Sequence, residues 1–284
     1  MGNKNDSLGD RMKRYENVPK VNLVRRMPVI IRLDGKAFHT FTKGLDKPFD
    51  PVLMQTMDDT MQYLCENIQG CVLGYTQSDE ITLVLVDYQT LTSDAWYDNN
   101  VEKICSISAS MATLAFNNAW RENVDNLAGL MVKWRDDGTY YIDQDSQKQI
   151  KLYTSRYNRA LFDSRAFNIP KEEVMNCLVW RQKDATRNSI QAVGQANFSH
   201  KQLMGKSCDQ IQDMLFKEKG INWNDYPTSC KRGTCCVKRM VRIIPEVTNR
   251  PGAKITERMK WVIDYNIPIF NQQPEYVNSL VFLE

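Results

Sequence analysis

The apolar positions divide the chain into short β-branched runs and longer stretches with helical spacing. Met27-Pro-Val-Ile-Ile-Arg-Leu33 is rich enough in β-branched residues for a buried strand. It ends at Asp34-Gly35, where glycine permits a tight turn. Asp50-Pro51 has the composition of a helix start, with aspartate as cap and proline in the first turn. From Val52 to Asn67, residues Leu53, Met54, Met57, Met61 and Leu64 recur at helical spacing. Cys71-Val-Leu-Gly-Tyr75 and Ile81-Thr-Leu-Val-Leu-Val86 are two further strands. The short polar segment Thr76–Glu80 between them makes a hairpin the economical connection.

A second helix is expected over Val101 to Trp120, with Ile104, Ile107, Met111, Leu114 and Ala115 on one face. Asp163 to Ile169 reads as a strand, and Pro170 to Val193 as a helix opened by proline and two glutamates. The stretch from Asp136 to Tyr157 is polar and reads as loop-rich. The order strand, helix, strand, strand, helix, strand is the split βαβ pattern. It predicts an α+β, ferredoxin-like antiparallel sheet backed by helices.

Composition changes this picture little. Hydrophobic residues make up 42% and charged residues 25%, as in ordinary globular proteins. A formal net charge of +3 excludes a strongly basic nucleic-acid coat but not a local basic patch. No apolar run approaches the ~20 residues that span a bilayer, so no membrane partner is expected. The segment Met1 to Lys20 is polar and charged, and Cys65, Cys71, Cys105, Cys177 and Cys208 sit singly in apolar surroundings. Both features predict free thiols and a cytoplasmic setting. Cys230, Cys235 and Cys236 cluster, but with two histidines and no paired CxxC elements a zinc site is not expected.

The candidate chemistry lies in the carboxylates. In the split βαβ topology the first strand and the central hairpin are neighbours, so Asp34 and Asp79 can converge at one sheet edge. Two such carboxylates repel unless a cation lies between them, and Mg²⁺ favours carboxylates together with phosphate oxygens. The pair could hold two ions and support in-line displacement at phosphorus. Side chains alternate along a strand, so Asp79 is the expected ligand and Glu80 a supporting residue. Spacing alone favours a plain Asp-Gly turn and a solvated hairpin tip. Gly35-Lys-Ala-Phe-His39 follows the strand and could offer successive backbone N–H groups to a triphosphate, with Lys36 or Lys47 adding charge. His39 reads as structural rather than as a general base. There is no Walker P-loop.

Arg32-Leu-Asp-Gly-Lys-Ala-Phe-His-Thr-Phe41, together with Tyr75-Thr-Gln-Ser-Asp-Glu80, resembles the tRNA-His guanylyltransferase family, and most closely its bacterial Thg1-like members. The resemblance continues through Phe162-Asp-Ser-Arg165, Trp180-Arg-Gln-Lys-Asp184 and Lys231-Arg-Gly-Thr234, from about residue 10 to 240. It implies a palm domain like that of polymerases. It also implies 3′-to-5′ addition of nucleotides to the 5′ end of a tRNA after ATP or GTP activates the 5′ phosphate. By the same resemblance, Asp34 and Asp79 with the carbonyl of Gly35 would bind two Mg²⁺ ions. Asp34, Gly35, Lys36, Ala37, Phe38, His39, Ser78, Asp79 and Lys47 would hold a nucleoside triphosphate. The implied organisation is a palm segment over 1–135 with both aspartates, the remainder of the catalytic domain with the tRNA-contacting region over 136–240, and an extension over 241–284. The implied assembly is a homotetramer, a dimer of dimers.

One departure bears on specificity. The family's His-Ile-Asn-Asn run is here Thr186-Arg187-Asn188-Ser189, so only Asn188 matches. This favours template-dependent repair of 5′-truncated tRNA over addition of a guanosine to tRNA-His. Arg181, Arg187, Asn188, Lys231 and Arg232 are the expected RNA-binding residues, with Arg156, Arg159, Arg165, Lys238 and Arg239 as further cations. Tyr157 and Trp180 are possible base-stacking rings, although Trp180 reads as core from its helical stripe. The rival readings are a palm-fold nucleotide cyclase and a non-catalytic RNA-binding protein. A cyclase would want a Gly-Gly-Asp/Glu-Glu-Phe turn, and Gln77-Ser78-Asp79-Glu80-Ile81 differs from it.

Overall fold

The β-branched run after Met27 forms strand Val29–Gly35 (β1) in the computed structural model, which describes residues 7–243 and 256–282. Parts of the charged N-terminus and of the C-terminal extension lie outside the described residues. Helix Pro51–Asn67 (α1) begins as expected: Asp50 Oδ1 accepts from the N–H of Leu53 at 2.9 Å, and proline opens the first turn. Strands Cys71–Gln77 (β2) and Glu80–Leu85 (β3) form the hairpin, turning at Ser78-Asp79 with Ser78 at φ 52°. Helix Val101–Leu130 (α2), capped by Asn100, leads to strand Phe162–Asn168 (β4), and helix Lys171–Asn197 (α3) follows. The chain continues through helix Cys208–Lys219 (α4), strands Thr234–Ile243 (β5) and Thr256–Asp264 (β6), and helix Glu275–Val281 (α5).

The six strands form one sheet in the order β4-β1-β3-β2-β5-β6, with every neighbouring pair antiparallel. The first four strands in that order give the expected ferredoxin-like core. Helices α1 and α2 pack on one face against Val29, Ile31, Leu33, Ile81 and Leu83. The opposite face is also apolar: Ile30, Leu73, Tyr75 and Val84 are buried beneath Val174 and Leu178 of α3 and Val277 of α5. Apolar side chains on both faces of the central strands require cover on both sides.

Four details differ from the sequence reading. Helix α2 continues ten residues beyond Trp120, to Leu130. Its buried stripe is Ile104, Ser108, Ala112, Phe116 and Trp120, while Ile107 and Leu114 face solvent. Small residues let this helix approach the sheet closely, and Ser108 is satisfied by Ser164 at 2.8 Å. The polar stretch expected as loop contains a helix over Gln144–Thr154, capped by Asp143 and anchored through Tyr153, whose hydroxyl donates to buried Asp50. Strands β5 and β6 extend the sheet rather than forming a separate tail, and position 240/241 lies inside β5.

Candidate functional site

Asp34 is the penultimate residue of β1, and the register sets Glu80 of β3 on one side of it and Asp163 of β4 on the other. Directly opposed strand residues share a face, so these three acids lie in one row at the sheet end. Asp79 stands in the adjoining turn. The N–H of Gly35 donates to the Asp79 carbonyl at 3.0 Å, which ties the hairpin turn to the end of β1. The Ser78 hydroxyl donates to Asp79 Oδ1 at 2.9 Å. Burial holds the Asp79 carboxyl above its usual range, the Ser78 bond opposes this, and the charge of Asp34 adds to it. The two aspartates therefore sense each other across the turn.

Glu80 has a different role. Its Oε1 lies 3.0 Å from Nε of Arg181, and Arg181 also reaches Asp184 Oδ2 at 2.6 Å. Burial raises the Glu80 carboxyl, while Arg181 and then Arg32 counteract it. Arg181 was expected to face RNA, but it is 5% exposed and committed to these two acids. A buried guanidinium needs such partners, because leaving either charge unpaired is expensive. Trp180 departs from expectation in the opposite sense. It is 52% exposed, and Arg181 and Arg32 lie 4.1 and 5.4 Å from its ring centroid.

The turn after Asp34 is built around Phe38. Its ring is buried among Phe41, Phe116 and Phe162, so it belongs to the core and could contribute only main-chain groups to a ligand. A Cβ on Gly35 would lie 2.3 Å from that ring, which explains the glycine. The N–H of Gly35 is used by Asp79 and that of Lys36 by Leu161, at 2.8 Å. Within the expected nest, this leaves the N–H groups of Ala37, Phe38 and His39 without a protein partner among the described residues. Ala37 is left-handed (φ 55°) and starts the one-turn helix Phe38–Phe41. The side chains of Lys36, His39 and Lys47 are exposed.

Beside the β2–β3 hairpin, at Ser78, opens a cavity of about 170 Å³. Its wall includes Met57 and Asp58 of α1, Ser78 of the hairpin, Asn188 and Ser189 of α3, and Thr234 of β5. Gly233 (φ 81°) lets the chain pass against β2, where a Cβ would lie 2.2 Å from the Thr76 carbonyl. Asp58 is 4% exposed, and its Oδ1 accepts from the Thr234 hydroxyl. Burial pushes its carboxyl up to about 6, against the pull of that hydrogen bond. The sequence reading missed Asp58; an acid beside Met57 in the apolar stripe of α1 was the available signal. It also missed Asp163, quoted within a matched segment but given no role.

The other expected residues scatter. Asn188 belongs to the cavity, next to Ser78, rather than to a separate RNA surface. Arg187 is exposed but paired with Asp184. The Lys231 ammonium donates to the Asn224 carbonyl and lies 5.7 Å from the Trp223 ring centroid, and the Arg232 carbonyl accepts from Tyr75 at 2.6 Å. Arg165 is half-exposed and 3.2 Å from Asp163. Cys235 and Cys236 point to opposite faces of β5, into separate cores, and all eight cysteines are free. Among the described residues no three histidine, cysteine, aspartate or glutamate side chains form a metal-binding group. A metal held by Asp34 and Asp79 would therefore need oxygens from main chain, water or substrate to complete its shell.

Comparison with known proteins gives this arrangement a context. The family model described as tRNAHis guanylyltransferase (Thg1) matches residues 9–170. A bacterial tRNA(His) guanylyltransferase (Thg1)-like protein solved in complex with ATP is 41% identical, with a TM-score of 0.78 over 98% of this chain and 100% of that one. Such a protein in complex with GTP is 39% identical, with a TM-score of 0.73 over the same shares. The tRNA(His) guanylyltransferase of Schizosaccharomyces pombe is 26% identical over 243 residues, 81% of this chain and 80% of that protein.

Proposed function

Since the chain belongs to the tRNA-His guanylyltransferase (Thg1) family of nucleotidyltransferases, we propose that it adds nucleotides to the 5′ end of tRNA in the 3′-to-5′ direction, repairing 5′-truncated molecules. The observation that carries this reading is the Gly35–Asp79 main-chain bond, which draws two carboxylates from distant segments to one sheet end. A pair of hard oxygen donors whose charges oppose each other suits Mg²⁺. Asp34 and Asp79, with the Gly35 carbonyl, would hold two such ions. When bound, the ions supply charge stabilisation for displacement at phosphorus.

The chain's own residues have distinct parts in this reading. The N–H groups of Ala37, Phe38 and His39 receive triphosphate oxygens, with Lys36 and Lys47 adding positive charge. The cavity at Ser78 and Asn188 takes the rest of the nucleotide. ATP or GTP first joins its α-phosphorus to the RNA 5′-phosphate, releasing pyrophosphate. The 3′-hydroxyl of an incoming nucleoside triphosphate then attacks the activated 5′-phosphorus, giving its proton to water as the new P–O bond forms and releasing the nucleoside monophosphate. Positioning and charge perform most of this work, with no general base required among the side chains.

Guanosine addition to full-length tRNA-His is the second reading; Thr186, Arg187 and Ser189 in place of the family's run favour repair. The protein is proposed to act in the cytoplasm as a dimer of dimers. Among the described residues no helix is long and apolar enough to cross a membrane. The test supplies 5′-truncated tRNA, ATP, labelled nucleotides and Mg²⁺, and sizes the product from its 5′ end. Extension of truncated but not full-length tRNA-His supports repair. No extension of any tRNA removes the proposal, and a cyclic product formed without RNA would identify a cyclase.

A further inference from the structure

Helix α2 turns an uncharged face to solvent. From Ile104 to Trp120 it has no Asp, Glu, Lys or Arg, although Ser106, Ile107, Ser110, Leu114 and Asn118 are exposed. Leu114 is 58% exposed. A helix whose outer face meets only water ordinarily carries charged residues there. Helix α4 does so, with Asp209, Asp213, Lys217 and Lys219 exposed. Leu161, also exposed, widens the patch on α2. The N–H groups of its neighbours Ala160 and Phe162 donate to Asn117 and Thr113 of that helix. A contiguous apolar surface of this kind marks a contact site.

The spacing along this face is symmetric about Leu114. Ser110 and Asn118 lie four residues to either side, Ile107 and Arg121 seven, and Lys103 and Asp125 eleven, all on one side of the helix. A second copy running antiparallel across Leu114 therefore meets a matching series. Leu114 faces Leu114, Ser110 faces Asn118, Ile107 lies along the stem of Arg121, and Lys103 reaches Asp125. Both ends of the series are thus complementary in charge. Neither Lys103 nor Asp125 forms a salt bridge among the described residues, and Asp125 accepts the Tyr157 hydroxyl at 2.7 Å. A parallel pair would set Lys103 against Lys103 and Arg121 against Arg121, so charge selects the antiparallel arrangement.

We infer that α2 is a self-association surface, along which two copies of the chain pair antiparallel about a twofold axis at Leu114. Such a contact is isologous, the same patch serving both copies. From Lys103 to Asp125 it runs about 33 Å along the helix. The inference rests on the proposed dimer of dimers, for which it names one contact, and not on the tRNA reading. The Leu161 carbonyl accepts from the Lys36 N–H at 2.8 Å, so the paired surface adjoins the turn that follows Asp34.

Sedimentation velocity of the full chain in the micromolar range tests the pairing. Leu114→Arg puts two like charges on the axis and counts twice in each pair. The dissociation constant of this contact should rise about hundredfold or more, and the variant should sediment at half the wild-type mass. Lys103→Glu should weaken the contact about tenfold, and adding Asp125→Lys should restore it, because the exchanged charges face each other again. Unchanged mass in Leu114→Arg would overturn the inference and leave the assembly standing. So would a double variant that associates no better than Lys103→Glu alone. Lys103 and Asp125 are exposed, so the charge exchange keeps the test valid if Leu114→Arg folds poorly. A wild type that is monomeric throughout this range would remove the dimer of dimers as well, whatever the outcome of the tRNA extension assay.

Discussion

Glu80 stands directly opposite Asp34 across the β1–β3 ladder, yet its charge is taken up by Arg181 on the helix above, 3.0 Å away. Of the two acids opposite Asp34 in register, Glu80 is thereby neutralised and Asp163 lies 3.2 Å from Arg165, which leaves Asp79, from the turn, as the partner without a cation. Replacing Arg181 by methionine would leave Glu80 buried beside Asp34 with only the more distant Arg32 to balance it. The expected loss is about 3–5 kcal/mol of unfolding free energy, recovered in large part by Glu80→Gln in the same chain. Urea unfolding of the two variants measures both effects.

Asp34→Asn and Asp79→Asn should abolish tRNA extension, by about 10³-fold or more, with the fold intact. Because the two carboxyls repel each other, Asp79→Asn should also unfold at a slightly higher temperature than the parent in metal-free buffer. Single-turnover extension assays and thermal melts test the pair of outcomes. Full activity in either variant would refute the metal assignment.

Gly35→Ala places a methyl group against the Phe38 ring, which is already packed on three other aromatic rings. The ring cannot yield without opening the core. A loss of about 1–3 kcal/mol is expected, together with reduced activity because the turn carries the N–H groups proposed to bind the triphosphate. Denaturant midpoints and extension rates would report the two losses in one variant.

Asp58 gives a pH signature. Its carboxyl is pushed from an ordinary 3.8 to about 6, so the folded chain keeps a proton that the unfolded chain has released in between. Stability from this group is complete below pH 3.8 and is lost as pH rises through 6. Asp58→Asn removes that dependence. The variant should be more stable than the parent by about 1–3 kcal/mol at pH 8, with the gap closing toward pH 4. Unfolding titrations at several pH values would show the convergence, and a constant gap would contradict it.

The strands and their order were legible because β-branched runs bounded by polar turns leave few topologies, and Asp50-Pro51 marked the start of α1 directly. The ladder from Asp34 to Glu80 follows from that topology. What periodicity could not supply was the direction of individual side chains. Trp180 lies in an apolar helical stripe but is held outward against Arg32 and Arg181, whereas Arg181, polar by type, is drawn inward by Glu80. Ile107 and Leu114 of α2 lost the inner face to Ser108 and Ala112, because close approach favours small residues. An acid in the apolar stripe of α1 marks Asp58 as unusual, but its pairing with Thr234, 176 residues away, carries no local signal.

The bond between those last two residues joins α1 to β5, so the cavity closes only when segments 176 residues apart in sequence have come together. A recombinant fragment ending after β4 would retain both aspartates and the loop between them. It would lack the strand that closes the cavity on its far side, leaving Asp58 without the hydroxyl that holds it.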